Sequence, residues 1–86
     1  MKLAYHGILT LVPDEGIIEV GVLALPGVLT WGTTIDEALV NAQEGIVLHL
    51  ESYAERGQPF PLDRKPRGQA VQVDVVAPTI EARRSA

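Results

Sequence analysis

Apolar and polar residues alternate from Lys2 to Val12, with Leu3, Tyr5, Leu9 and Leu11 on one side and Ala4, His6, Ile8 and Thr10 on the other. That two-residue period is the mark of a strand. Gly7 in its middle predicts a bulge or a close approach by another backbone. Pro13-Asp14-Glu15-Gly16 is a turn, proline fixing φ and glycine admitting positive φ. The pattern then resumes over Ile17–Leu25 as the return strand of a hairpin. Ile18, Val20 and Val22 share one face of it, and Ile17, Glu19, Gly21 and Leu23 the other. Pro26-Gly27 breaks that strand, and Val28–Trp31 makes a third short one ending at Gly32.

At Ile35 the period changes. Ile35, Ala38, Leu39, Ala42, Ile46, Leu50 and Tyr53 follow the 3.6-residue spacing of one buried helical stripe, predicting a helix over Ile35–Arg56. Thr34 followed three residues later by Glu37 is a capping box. The hydroxyl accepts the free amide at the third helical position, and the carboxylate reaches back to the amide of Thr34. Gly57 stands where a left-handed C-terminal cap is wanted. Pro59, Pro61 and Pro66 exclude regular structure from the stretch that follows, leaving Phe60 and Leu62 to pin it. Val71–Val76 is the last strand, and from Pro78 onward the chain is a tail.

The order β-β-β-α-β predicts an α+β domain. Its simplest topology is a three-stranded antiparallel meander with the fourth strand added beside the first and parallel to it, since strand–helix–strand crossovers are right-handed. One helix covers one sheet face only. The strands carry apolar residues on both sides, so Ile8, Val12, Ile17 and Leu23 fall together on a face left without a second layer. An exposed apolar face of that size marks an association surface. The expectation is a homo-oligomer, a dimer or a tetramer.

With 86 residues, 47% of them hydrophobic and 21% charged, the chain holds one packed domain. No apolar run is long enough to span a bilayer and the N-terminus lacks a signal-peptide layout, so a cytoplasmic address without membrane contact is expected. Cysteine is absent, which excludes disulfides and thiolate metal sites. The net charge of −4 and the pI near 4.9 disfavour direct binding of nucleic acid and favour a basic protein partner. On the helix, Glu37, Glu44, Glu51 and Glu55 form an acidic set around Leu48, the candidate surface for that contact.

Catalytic chemistry finds little footing. A two-metal nuclease centre needs an acid on the first strand, and Met1–Val12 has neither Asp nor Glu. Glu44, Glu51 and Asp74 are read as solvated charges, no metal or other cofactor is expected, and the chain is not expected to be an enzyme. His6 and His49 lack the spacing of a metal or acid–base pair. Gly27 and Gly32, without a following Gly-Lys-Ser/Thr, are not a phosphate loop. Arg64, Lys65 and Arg67 form a basic cluster with no interleaved aromatics, read as a solvated loop. For Trp31 and Tyr5 the interface-anchor and core readings both stand.

The run Leu25-Pro26-Gly27, then Thr30, Gly32 and Thr34, then Glu37-Ala38 and Asn41-Ala42, resembles the HicB antitoxin family, as does the later Gly57-x-Pro59-x-Pro61 loop. Pro26, Gly27, Gly32, Thr34, Glu37 and Gly57 are the residues of that motif. The likeness implies a partial ribonuclease-H-like fold and one HicB-like domain over residues 1–78, with 79–86 as a C-terminal tail. It also implies a partner, a small basic HicA-type toxin that cleaves mRNA. Many members continue into a DNA-binding domain, and Thr79–Ala86 is too short for one. Two other classes frame the antitoxin reading: a degenerate ribonuclease-H-like RNA-cleaving protein, and a repressor component working with a separate DNA-binding module.

Overall fold

A computed structural model describes residues 2–78. The chain forms β1 (Lys2–Val12), β2 (Ile17–Val22), β3 (Leu29–Gly32), α1 (Ile35–Glu55) and β4 (Val71–Val76), in the order that the pattern predicts. The four strands make one sheet in the order β3-β2-β1-β4. Its second half is β1 against β2, from Gly7 opposite Val22 to Val12 opposite Ile17. Its first half is β1 against β4, from Lys2 opposite Val76 to Gly7 opposite Val71. Gly7 keeps register with both neighbours, so there is no bulge there. Close approach is its reason, because a Cβ would sit 3.0 Å from Val20 Cγ1.

The last strand corrects the expected topology. β4 runs antiparallel to β1, not parallel, and every neighbouring pair in the sheet is antiparallel. This departs from the ribonuclease-H-like arrangement. The cause is the connector after Gly57. A parallel strand requires the chain to re-enter the sheet directly from the end of the helix. Here the connector first climbs back along β1, where Pro61 O accepts the Tyr5 hydroxyl at 2.7 Å and Asp63 Oδ1 accepts the His6 amide at 2.8 Å. Tyr5 points to the helix side and His6 to the other, so the connector wraps round the edge of β1 that β2 leaves vacant after Val22. It then crosses to Val71 on the far side of β1, and β4 descends from there. The extra pass adds one reversal, and the strand direction flips.

Alternation sends Leu3, Tyr5 and Leu9 of β1 toward the helix, with Ile18, Val20 and Val22 of β2 and Val71, Val73 and Val75 of β4. Against them α1 buries Ala38, Ala42, Ile46, Leu50 and Ala54. Ile35, expected in this stripe, is 50% exposed, and Ala54 extends the stripe at the other end. Three alanines and two larger residues leave a shallow helical face, which lets the helix sit close. Gly32 shows how close: a Cβ on it would fall 2.6 Å from Ala38 N, a backbone atom with no freedom to give. Leu25 is not in β2, which ends at Val22. The Leu25 amide donates to Val22 O, Leu25 O accepts from the Val28 amide, and the side chain is fully buried. The loop thus closes around an apolar plug.

The helix ends form as the sequence predicts, with one shift. Thr34 Oγ1 accepts the Glu37 amide at 3.1 Å. The Glu37 carboxylate reaches back past Thr34 and accepts the Thr33 amide at 2.9 Å. At the other end Gly57 takes φ +67. The Gln58 amide donates to Tyr53 O and the Gly57 amide to Ala54 O, the paired bonds of a Schellman cap.

Candidate interaction surfaces

The face of the sheet turned away from α1 is in two parts. Under the connector, His6 and Ala4 are half-buried. The His6 amide and ring Nδ1 both meet the Asp63 carboxylate, at 2.8 and 2.5 Å. Partial burial pushes the Asp63 carboxyl up, but the bonds from the His6 amide and ring, with the Arg64 amide, hold it below its ordinary value. Burial, followed by the Asp63 and Tyr53 charges, raises the Tyr5 phenol. His6 and Tyr5 therefore latch the connector from the two sides of one strand.

Beyond the connector this face is bare. Ile8, Gly21 and Leu29 lie in one row across β1, β2 and β3, and Thr10, Glu19 and Trp31 in the next. Ile8 is 37%, Leu29 64% and Trp31 57% exposed. Val12 and Ile17 close the end of the sheet as a facing pair, half-buried like Leu23. Ile8, Leu23 and Leu29 rise around Gly21 as the walls of a groove of ≈ 510 Å³, with Pro26 beside it and Glu19 and Arg64 supplying its charges. All four residues expected on the open face stand on it or at its margin. Leu29 and Trp31, more exposed than any of the four, were not among them, because a strand this short gives no period to read. Trp31 and Tyr5 separate here: Tyr5 is core and Trp31 is surface.

The acidic set on α1 is spread along the length of the helix. Glu37 is spent on the cap. Glu44 and Glu51 border a second groove of ≈ 670 Å³ between α1 and β4, floored by Val47, Leu48, Val75 and Val76 and also touched by Lys2 and Asp74. Glu55 lies in the last turn of the helix. The groove gathers the three acids weighed above for a metal centre. Asp74 Oδ1 instead accepts from Gln72 Nε2 at 2.9 Å, and no group of three potential ligands that could hold a metal ion occurs among the described residues. Nor is any helix among them long and apolar enough to cross a membrane.

Among the motif residues, Pro26 is exposed and Gly27 makes room for a ring. A Cβ on Gly27 would fall 2.5 Å from His49 Cε1. His49 in turn lies 6.5 Å from the Tyr53 ring, over which Arg56 sits at 5.2 Å. His6 and His49 therefore serve different elements and do not form a pair. Arg64 stands at the open-face groove, and the tail expected beyond Pro78 lies outside the described residues.

This fold and these motifs have relatives. The N-terminal domain of the Burkholderia pseudomallei antitoxin HicB is similar over 92% of this chain and 100% of that one, with a TM-score of 0.65 and 31% identity. A chain from a HicA3 and HicB3 toxin-antitoxin complex shares the fold at a TM-score of 0.61 and 18% identity, over 90% of this chain and 100% of that one. The UPF0150 protein Ta0767 of Thermoplasma acidophilum is 40% identical over 50 residues, 58% of this chain and 72% of that protein. The family described as HicB_like antitoxin of bacterial toxin-antitoxin system matches residues 9–80. The chain belongs to the HicB-like antitoxin family.

Proposed function

We propose that this chain is a non-catalytic binding module that neutralises a HicA-type, mRNA-cleaving toxin by covering it directly. The observation that carries the reading is the family match across residues 9–80. It is supported by two surfaces suited to different contacts. The outer helix acids Glu44, Glu51 and Glu55, on a chain of net charge −4, suit the encounter with a small basic protein. Glu37 belongs to the same set, and its carboxylate also accepts the Thr33 amide at the cap. Ile8, Val12, Ile17 and Leu23, with Leu29 and Trp31, form the apolar face for self-association into a dimer or tetramer.

Calorimetric titration of the purified chain with a HicA-type protein tests this reading. The expected result is saturable binding that weakens with added salt and abolishes the toxin's RNA cleavage. No binding at micromolar concentrations overturns it. Magnesium-dependent RNA cleavage by this chain alone, lost in Asp74→Asn, would replace it with an enzyme.

A further inference from the structure

We propose that Asn41 and Gln43 guard the β3 and β4 edges of the sheet against strand addition, so that a second copy of this chain is kept from extending the ladder at either of these two strands. In an antiparallel ladder, successive residues alternate in pointing their N–H and C=O toward one neighbour and then the other. The His6 amide is given to Asp63, on the side away from β4. Its ladder partner Gln72, and with it Asp74 and Val76, therefore direct their backbone groups out of the sheet. On the far side, the Val22 amide donates to Val28 O at 3.2 Å, which turns Val28, Thr30 and Gly32 toward β2 and leaves Leu29 and Trp31 facing outward.

The helix reaches both of these outward rows. Gln43 Nε2 donates to Asp74 O at 2.8 Å, in the interior of the β4 edge. Asn41 Nδ2 donates to Trp31 O at 2.8 Å on the β3 edge. Two positions on a helix are about 200° apart, so these side chains leave α1 in opposite directions, one to each edge. Each amide occupies the place that the N–H of an added strand would take. A strand joining β4 or β3 must first displace the guard and re-form the lost bond. Protection matters most at β4, whose Val71-Gln72-Val73-Asp74-Val75-Val76 has four valines, no proline and a single charge, the composition that pairs with its own kind.

The test uses the full chain as wild type, Asn41→Ala/Gln43→Ala, and Val40→Ala as a control at an exposed helix site that bonds to neither edge. Alanine raises helix propensity at these positions, so α1 is retained. Light scattering over a concentration series, with thioflavin T fluorescence, reads the outcome. The double variant is expected to begin assembling at about one tenth of the concentration at which wild type and Val40→Ala do, the ratio supported by the one hydrogen bond lost at each edge. Its assemblies bind thioflavin T and persist when Trp31→Ser is added. Unchanged onset overturns the proposal, as does a gain that Trp31→Ser abolishes, since that association belongs to the open face. Should the double variant unfold, Gln43→Met keeps side-chain length without the donor. The same shift in onset supports the guard at β4, and its absence overturns it.

Discussion

The two faces of the sheet both carry large apolar residues, the outer one with His6, Thr10, Glu19, Gln72 and Asp74 among them, and they differ most in what covers them. Tyr5, Val20, Val22, Val73 and Val75 face α1 and are buried, while Ile8, Leu29 and Trp31 on the other side stand in solvent. What separates them is the partner layer. The helix brings a shallow stripe of alanines with Ile46 and Leu50, and it comes down on a glycine at Gly32. The opposite face receives an irregular connector that reaches only as far as His6 and Arg64. Apolar alternation on both sides of a strand therefore leaves part of one face without a covering layer among the described residues.

The contrast can be broken most strongly from the covered side. Leu50→Ala removes a fully buried side chain beneath the helix and is expected to cost about 3 kcal/mol in urea unfolding. Gly32→Ala forces a Cβ against the Ala38 backbone and is expected to cost about 2 kcal/mol by the same measurement.

The connector is weaker and depends on pH. Asp63 has its carboxyl held below the ordinary 3.8, so its contribution is full above that value and is lost as pH falls through the lowered folded one. Asp63→Asn is expected to be less stable than wild type at neutral pH, with the gap closing below pH about 4 in urea midpoints measured across pH. On the open face, Trp31→Ser is expected to change stability by less than about 0.5 kcal/mol. It should nevertheless lower the mass seen by light scattering if that face joins copies of the chain.

Much of this architecture is legible in the sequence, because local chemistry dictates it. Thr34, Glu37 and Gly57 mark both ends of α1, and alternation places the β1–β2 hairpin. The direction of β4 is not legible, because it follows from where the connector goes. Two bonds decide that, from Tyr5 to Pro61 and from His6 to Asp63, between residues far apart in the chain. The role of Asn41 and Gln43 is hidden for a similar reason. Polar residues on a helix read as solvated until the strands at the sheet edges are placed beside them. The candidate surfaces were half legible: Ile8, Val12, Ile17 and Leu23 follow from period, whereas Leu29 and Trp31 sit in a strand of four residues.

β1 divides its length between two neighbours, its later residues against β2 and its earlier ones against β4. During synthesis the hairpin, β3 and α1 are all complete before β4 leaves the ribosome. Lys2 to His6 must wait until Val71 to Val76 are made before they gain a ladder partner, since that strand supplies it. Lys2 to His6 are thus among the last residues of this domain to settle into the sheet, and a ribosome stalled ahead of Val71 holds a nascent domain whose first strand is only half zipped.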